Sequence, residues 1–272
     1  MKSFACIGGD YRNIFLSRML EEKGMVLNCG LDSKNGSNLY NCLECNYIVF
    51  PIPFSKDEKN LYTPLFDGEI QIKECVKDVK NKIIFAGKID NNTRFILEKN
   101  NNLVIDILKE KDFIINNAIP TAEGIIKCII ENTDITIDNS NILIIGFGNI
   151  GKKASELLSK LNANIYCYDI NKHEVANIES RGYNVLNSLN NYIENMDVIV
   201  NTVPALVINK DLFKFINKET LIIDVASKPG GIDFVFAKEN GFKVIQYLGI
   251  PGKVAPKTSA KYMMNIIEKY II

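Results

Sequence analysis

Histidine is almost absent from this sequence, which contains one such residue, His173, among 272. Enzymes that use a serine or cysteine nucleophile commonly pass its proton to a histidine held beside it. A single histidine leaves only one position from which such a base would act. We therefore expect no Ser–His or Cys–His catalytic site.

Net charge is also absent, because 32 Lys and Arg residues balance 32 Asp and Glu residues. A balanced chain has no overall field to attract nucleic acid or an anionic membrane. Apolar stretches are short, since Asn, Lys or Asp interrupts each one before the roughly 20 residues that a membrane helix requires. The first ten residues read as a β-strand that ends in glycines rather than as a signal peptide. These features predict a cytoplasmic protein that binds a small molecule or another protein, with no nucleic acid or membrane as a partner.

Cysteine is present in an odd number, seven. Most cysteines lie in apolar runs, where a free thiol behaves as a small hydrophobic side chain. Cys42 and Cys45 have the CxxC spacing of zinc and redox sites, but no second pair or histidine cluster accompanies them. We expect reduced thiols and no metal, with a zinc or redox role for this pair as the open alternative.

Short apolar runs alternate with amphipathic stretches along the whole chain. Hydrophobic residues make up 47% and charged residues 24%, which is typical of a globular protein with a large core. The alternation is that of βαβ units feeding parallel sheets. It predicts an α/β fold with two Rossmann-like domains, each containing a parallel sheet. The predicted strands are 4–9, 25–31, 47–52, 82–87 and 103–108, then 142–147, 164–169, 183–186, 198–203, 221–226 and 244–248.

The strongest motif is GFGNIG at residues 146–151, which follows an apolar strand and precedes an amphipathic helix. In dinucleotide-binding folds the first glycine permits a tight turn, the second admits the pyrophosphate, and the third allows close packing of helix on strand. The helix N-terminus offers N–H groups to the anion. The residues expected to contact a nicotinamide dinucleotide here are Gly146, Gly148, Asn149, Ile150 and Gly151.

The second strand of this half ends in Asp169, close to the spacing of about 20 residues at which an acidic side chain meets the adenosine ribose. A carboxylate there accepts hydrogen bonds from the ribose hydroxyls and repels a 2′-phosphate. The sequence therefore favours NAD, and the neighbouring Asn171 and Lys172 leave NADP as the alternative.

Two further loops are expected near the nicotinamide. Val203 and Pro204 follow the fourth strand of the second half, and a plain proline at a strand end is the alternative interpretation. Ala226 and Ser227 follow the fifth strand, in a run of small residues whose backbone can approach a ring closely.

The domain boundary is predicted near Pro120, where the pattern breaks and residues 121–132 read as a new helix. Residues 1–119 would form an N-terminal substrate or partner domain, and residues 120–256 the NAD(P)-binding domain. The amphipathic segment 257–272 is predicted to be a terminal helix that packs back on the first domain. Ligands bind beyond the carboxyl ends of parallel strands, so we expect the site in a cleft between the domains.

Candidate substrate-binding groups lie outside the glycine motif. Arg12 follows a strand end and is suited to pair with a carboxylate, although a helix cap by Asp10 explains the same motif. Asn117 and Thr121 lie at the domain junction. Glu123 is a candidate proton acceptor, or it simply complements a helix dipole.

The loop after the last strand is stiffened by two prolines and carries Lys253, Lys257 and Thr258. These groups suit an anionic substrate, and the alternative is a stiff linker into the last helix. D-2-hydroxy acid dehydrogenases share the two-domain plan but need a catalytic histidine. His173 lies on the adenosine side, far from the expected hydride transfer, so it is not placed for that role.

Taken together, five motifs resemble the A subunits of dipicolinate synthases over nearly the whole chain. The motifs are IGGDYR at 7–12, NAIPTAEG at 117–124, GFGNIG at 146–151, DVASKPGG at 224–231 and PGKVAPKT at 251–258. The glycine motif is shared by many dehydrogenases, whereas the junction motif and the last loop are more specific.

The resemblance implies oxidation of a dihydrodipicolinate-type intermediate to the aromatic diacid, with a nicotinamide cofactor as hydride acceptor. It also implies a partner, the flavoprotein-like B subunit of the synthase, and a role in the mother cell during sporulation. Arg12, Lys253 and Lys257 would clamp the small dicarboxylate, and Glu123 or Lys257 would accept a proton. We also expect a homo-oligomer. The alternatives are another NAD-dependent two-domain dehydrogenase, of the methylene-tetrahydrofolate or alanine dehydrogenase type, and a non-catalytic NAD-binding module.

Overall fold

Two parallel β-sheets are formed by the residues that the computed structural model describes, 2–32 and 36–271. The chain divides into two units, Met1–Asn117 with Ala255–Ile272, and Ala118–Val254. The strands are β1 (Ser3–Ile7), β2 (Met25–Cys29), β3 (Tyr47–Val49), β4 (Ile83–Ala86), β5 (Leu103–Asp106), β6 (Asn141–Ile145), β7 (Asn164–Tyr168), β8 (Asn184–Val185), β9 (Val198–Asn201), β10 (Leu221–Asp224) and β11 (Val244–Gln246). Each coincides with a predicted apolar run, which confirms the α/β fold with two parallel sheets.

Ten α-helices connect these strands within the described residues. They are α1 (Tyr11–Leu20), α2 (Leu39–Leu43), α3 (Ile72–Val76), α4 (Asn91–Lys99), α5 (Lys111–Asn132), α6 (Asn149–Lys160), α7 (Lys172–Ser180), α8 (Phe234–Glu239), α9 (Ile250–Val254) and α10 (Pro256–Glu268). Four short 3₁₀ turns lie at Ile107–Lys109, Leu189–Asn191, Ile193–Asn195 and Leu212–Phe215.

The first unit contains a five-stranded sheet in the order β2-β1-β3-β4-β5. Successive side chains of a strand point to opposite faces, and both faces of this sheet are covered. Phe4 and Cys6 of β1 therefore lie in one apolar cluster, while Ala5 and Ile7 lie in another.

The terminal helix α10 belongs to this first unit. Its buried side chains, Met263 and Ile267 among them, share an apolar cluster with Leu16 and Leu20 of α1. Lys23 and Glu268 add an exposed ion pair at 2.7 Å. The predicted last residue of this helix, Ile272, lies outside the described residues.

The second unit contains a six-stranded sheet in the order β8-β7-β6-β9-β10-β11. This is the strand order of dinucleotide-binding Rossmann domains. The chain moves outward from β6 in one direction through β7 and β8, and in the other through β9, β10 and β11. The direction changes between β6 and β9, where a crevice for ligands forms at the strand ends in folds of this type.

Helix α5 corrects the predicted break at the junction. The expected start at Thr121 is wrong, because the helix already begins at Lys111 and contains Pro120 in its interior. A proline inside a helix removes one backbone hydrogen bond and crowds the preceding turn. Burial of Phe113 in one core and of Ile125 in the other outweighs that cost, since each buried side chain of this size contributes about 2 kcal/mol.

By length and composition alone, α5 is also able to cross a bilayer, and half of its most apolar stretch is buried in the protein. The sequence pattern predicts no stretch of this length, because polar residues interrupt every apolar run. Its isoleucines outweigh the polar residues when hydropathy is averaged over 18 residues of the helix. Buried core helices of globular proteins have the same length and apolar composition.

Candidate functional site

The candidate site lies in the second unit, at the edge of the sheet where its strands end, which we call the carboxyl edge. All ten residues predicted to contact a cofactor lie in the loops after β6, β7, β9 and β10, or in the first turn of α6. The strands β6 and β9 pair directly, with Ile145 opposite Asn201 at their carboxyl ends. Consequently the loops that begin after these two residues lie side by side.

The three glycines of the motif occupy different environments. Gly146 has a φ of +89°, which L-residues rarely adopt, and a side chain there would meet Val203. Gly151 lies against the turn itself, since a Cβ atom would be 2.0 Å from the carbonyl oxygen of Gly146. Gly148 is exposed, and a Cβ atom built on it would have no neighbouring atom within 4 Å.

The open space at Gly148 lies at the N-terminus of α6. Gly148 is the N-cap residue of that helix, and no side chain caps its first turn. Asn149 is exposed and Ile150 is half-buried. Uncapped N–H groups and the helix dipole favour an anion at this position. The geometry therefore fits a pyrophosphate, and sequence reasoning placed it at these residues.

Asp169 follows β7 and is held in place by main-chain N–H groups. Phe147 N–H donates to Asp169 Oδ2 at 2.7 Å, and Asn171 N–H donates to Oδ1 at 2.8 Å. The carboxylate is thus tied to the glycine loop, 146–151. Each carboxylate oxygen retains a further lone pair, so the group is still able to accept from ribose hydroxyls.

The loops after β9 and β10 present mostly backbone at the carboxyl edge. Val203 is half-buried and Pro204 is exposed, while Ala226 is buried and Ser227 is exposed. Thr202 Oγ1 donates to the carbonyl of Ile145 at 3.0 Å, which joins the β9 loop to the end of β6.

Two buried polar residues that sequence reasoning did not select support these loops. Asn201 ends β9 and Asp224 ends β10, both are fully buried, and Asn201 Nδ2 donates to Asp224 Oδ1 at 2.8 Å. The signal was present in the sequence, since each is a polar residue closing an otherwise apolar strand. The partner of such a residue is invisible until the pairing of the strands is known.

In the first unit, Arg12 does pair with a carboxylate, but the carboxylate belongs to the chain itself. Arg12 Nε donates to Asp10 Oδ1 at 2.9 Å, and Nη2 donates to Asp10 Oδ2 at 2.8 Å. Nη2 also donates to the carbonyl of Ile52. The Arg12 side chain is 6% exposed, so its fork is used to join the β1 and β3 loops. Asp10 additionally caps α1, which is the alternative that the sequence left open.

The other predicted substrate-binding residues belong to different units. Asn117 and Thr121 lie in α5, where Asn117 is half-buried and Thr121 is buried. Glu123 is exposed and forms none of the ion pairs found within residues 2–32 and 36–271.

Lys253 lies in α9 of the second unit, while Lys257 and Thr258 lie in the first turn of α10 in the first unit. All three are exposed. Lys253 Nζ is 5.2 Å from the centre of the Tyr247 ring. Convergence of these groups on one substrate stays a prediction.

His173 lies in the first turn of α7 and is exposed. Its Nδ1 is 3.4 Å from Asn177 Nδ2. Its helix follows β7, on the Asp169 side of the sheet. No group of three or more His, Cys, Asp or Glu side chains is arranged to hold a metal ion in the described part of the chain.

All seven cysteines are free thiols, and six of them are buried. Cys29 is half-buried and packs against the apolar cluster that contains Cys42 and Cys45. The hydrogen bond from the Cys42 thiol lowers the pKa of Cys29 to about 7. The hydrogen bond to Cys29 and burial raise the pKa of Cys42, and burial raises the pKa of Cys45, so the two cysteines of the CxxC motif are not the reactive pair.

We expect iodoacetamide to alkylate Cys29 first at pH 7, because its lowered pKa leaves more of this thiol ionised and the thiolate is the nucleophile. Cys42→Ala removes the hydrogen-bond donor, so the pKa of Cys29 returns towards about 8.5 and the rate at pH 7 falls about tenfold. Mass spectrometry of the alkylated peptides against pH measures both effects. Cys128→Ala, in the other unit, serves as control, and an unchanged rate in Cys42→Ala would contradict the assignment.

Two family models match the chain. Residues 3–108 match the N-terminal domain of the A subunit of dipicolinate synthase, and residues 130–228 match the NAD binding domain of D-isomer specific 2-hydroxyacid dehydrogenases. The second match covers the glycine loop, Asp169, the loop after β9 and the first residues of the loop after β10, as far as Lys228. The second unit therefore carries a domain of the type that binds a nicotinamide cofactor in dehydrogenases.

Known proteins resemble the chain over almost its whole length. The A subunit of dipicolinate synthase from Bacillus subtilis (strain 168) is 28% identical over 98% of this chain and 95% of its own. The crystal structure of the same subunit from Bacillus halodurans is 26% identical, with a TM-score of 0.88 over 99% of this chain and 97% of that one. A transhydrogenase from Sinorhizobium meliloti shares the fold, with 11% identity and a TM-score of 0.70 over 98% and 94% of the two chains.

Proposed function

The chain is a relative of the A subunits of dipicolinate synthases, and on this premise we propose that it oxidises dihydrodipicolinate to dipicolinate with a nicotinamide dinucleotide. The observation that carries the proposal is the match of residues 3–108 to the N-terminal domain of those subunits, joined to a match of residues 130–228 to an NAD binding domain. A dehydrogenase with another substrate would share the second domain without the first.

The reaction is a two-electron oxidation that completes an aromatic ring. A ring carbon of the substrate loses hydride, a second ring position loses a proton, and the pyridine ring forms. When bound, the dinucleotide supplies the hydride acceptor. The protein has to hold the substrate in line for transfer and take up one proton, because aromatisation provides much of the driving force.

The residues of this chain have distinct proposed tasks. The open N-terminus of α6 and Gly148 bind the pyrophosphate, and Asp169 accepts from the adenosine ribose. Lys253, Lys257, Asn117, Thr121 and Thr258 contact the dicarboxylate, and Glu123 or Lys257 accepts the proton. Arg12, whose donors already join Asp10 to Ile52, holds the β1 loop in the shape that receives the substrate.

The assay mixes the purified chain with NAD or NADP and freshly generated dihydrodipicolinate. Reduced nicotinamide is followed by absorbance and dipicolinate by chromatography, with the same mixture lacking protein as the control for spontaneous oxidation. We expect dipicolinate and reduced cofactor in equal amounts. A chain that binds NADH but forms neither product would instead be a binding module or a dehydrogenase of another substrate, and alanine and methylene-tetrahydrofolate are then the substrates to try.

We further propose that a flavoprotein-like B subunit is the partner, and that the pair acts in the cytoplasm of the mother cell during sporulation. The relatives are named as subunits of a synthase, which supports a partner. The assay is therefore run with and without a co-expressed B subunit. Sizing of the purified chain tests the homo-oligomer.

Cofactor choice is tested at Asp169. In Asp169→Arg, a cation replaces the carboxylate that repels a 2′-phosphate, so we expect the ratio of NADPH to NADH affinity to rise by at least about tenfold. Fluorescence titration with each reduced cofactor measures the ratio. Asp169→Asn, which removes the charge but keeps an acceptor for Phe147 N–H, is the matched variant and should lower NADH affinity without creating NADPH affinity. An unchanged ratio in Asp169→Arg would rule out this role.

A further inference from the structure

Asp224 is a fully buried carboxylate at the end of β10. Its Oδ1 accepts from Asn201 Nδ2 at 2.8 Å and from Ala226 N–H at 3.2 Å, and its Oδ2 accepts from Gly231 N–H at 3.2 Å. A buried carboxylate is costly unless donors compensate for the lost water. Here three donors do so, and two of them are backbone groups of the loop 225–231.

Asn201, at the end of β9, holds the loop after that strand by hydrogen bonds of the same kind. Its Nδ2 also donates to the carbonyl of Val203 at 3.0 Å, and Val203 N–H donates to Asn201 Oδ1 at 3.3 Å. One side chain therefore holds both main-chain groups of Val203 and the carboxylate of Asp224. The amide is fully used, because its acceptor and both donor contacts are engaged.

The two loops are also packed against each other without a gap. A Cβ atom on Gly231 would lie 2.2 Å from Asn201 Nδ2 and 2.6 Å from the carbonyl oxygen of Val203. The carbonyl of Gly231 in turn accepts from the N–H groups of Val207 and Ile208, at 3.0 and 2.9 Å. Loop 225–231 is thus fixed to the loop after β9.

We propose that Asn201 and Asp224 are positioning residues that fix Val203 and Ala226 beside the nicotinamide end of the bound dinucleotide. The inference rests on the proposed function, because it takes a dinucleotide bound at the glycine loop as given. The pyrophosphate and ribose contacts lie on β6 and β7, while this network lies on β9 and β10. Loss of the network should therefore weaken binding of the nicotinamide half of the ligand and leave binding of the adenosine half unchanged.

Asp224→Asn tests this with almost no change in shape. The new NH₂ group has to face either Gly231 N–H or the two donors on Oδ1, so one or two links of the network are lost. We expect NADH affinity, measured by nicotinamide fluorescence, to fall about 10- to 100-fold, because a shift of about 1 Å in a contacting group is enough for a loss of this size. The affinity for ADP-ribose, measured by calorimetry, should change less than about twofold, because that ligand lacks the nicotinamide ring.

Asn201→Ala is the second variant, and it leaves Asp224 with its two backbone donors if Asp224→Asn does not fold. We expect the same selective loss of NADH affinity. The matched control is Asp197→Asn at the amino end of β9, where Asp197 Oδ2 accepts from Asn141 N–H at 2.7 Å. This control makes the same exchange of Asp for Asn at the opposite edge of the sheet, so the ratio of the two affinities should not move.

Equal weakening of NADH and ADP-ribose, or no weakening of NADH in either variant, would overturn the inference alone. A wild-type chain that binds neither ligand would overturn the proposed function and this inference with it. A selective loss of NADH affinity in both variants, with an unchanged control, supports the positioning role.

Discussion

Gly148→Val is expected to abolish dinucleotide binding while leaving the fold intact. No atom lies within 4 Å of a Cβ atom at this position, and its φ of −74° and ψ of −163° are open to any residue. The added side chain instead fills the space before the N-terminus of α6, where a pyrophosphate has to approach the backbone. We expect NADH affinity to fall at least about 100-fold, because both the contact to the phosphates and the access to the helix N-terminus are lost.

Fluorescence titration with NADH and a thermal melt measure the two halves of this prediction. The melting temperature should fall by no more than about 4 °C, which is the cost of placing valine instead of glycine at the N-cap of α6. Gly36→Val is the matched control, since Gly36 in the first unit has no contact closer than 3.7 Å. Unaltered NADH affinity in Gly148→Val would mean that the ligand does not use this loop.

Gly151→Val, three residues further on, is expected to destabilise the second unit instead. A Cβ atom there would lie 2.0 Å from the carbonyl oxygen of Gly146 and 3.3 Å from Ile144 Cγ2. The nearest atom is backbone, which cannot rotate away, so α6 has to move off the sheet. Overpacking of this kind costs about 3 kcal/mol, at the upper end of the usual range.

Denaturant and thermal unfolding measure that loss, and a fall in melting temperature of roughly 6 to 12 °C is expected. The smaller Gly151→Ala should show the same direction, because the Cβ atom alone makes the contact. Stability equal to that of the unmodified chain would show that the helix and the turn are not packed as closely as the distances indicate.

Much of the fold was predictable because it depends on local pattern. Apolar runs such as 142–147 and 198–203 become buried parallel strands, and the amphipathic segments between them become helices, since burial favours one spacing for each. The predicted runs extend beyond the observed strands at their carboxyl ends, because residues 202–203 and 225–226 continue the run past Asn201 and Asp224, where the strand register ends. The length and polarity of an apolar run do not reveal the residue at which the neighbouring strand of the sheet ends.

The junction and the first loop show where local pattern fails. Pro120 and the asparagines before it predicted a helix end, yet α5 continues through them because side chains on both sides of the proline are buried in cores. Arg12 was expected to bind a ligand carboxylate, which stays a prediction, and within the chain its guanidinium pairs with Asp10. In both cases the outcome depended on contacts that the local pattern does not contain, with the two cores for α5 and with the carbonyl of Ile52 for Arg12.

The sequence by itself determined the order of strands and helices and the presence of a glycine loop followed by Asp169, because these follow from spacing along one segment. Only the tertiary structure decided which glycine leaves room for a ligand and which one allows close packing. Gly148 faces open space, whereas Gly151 packs against the backbone of Gly146. It also brought Asn201 and Asp224 together. Pairing of β9 with β10 places two strand ends side by side, and a hydrogen bond between residues 23 positions apart exists only after that pairing has formed.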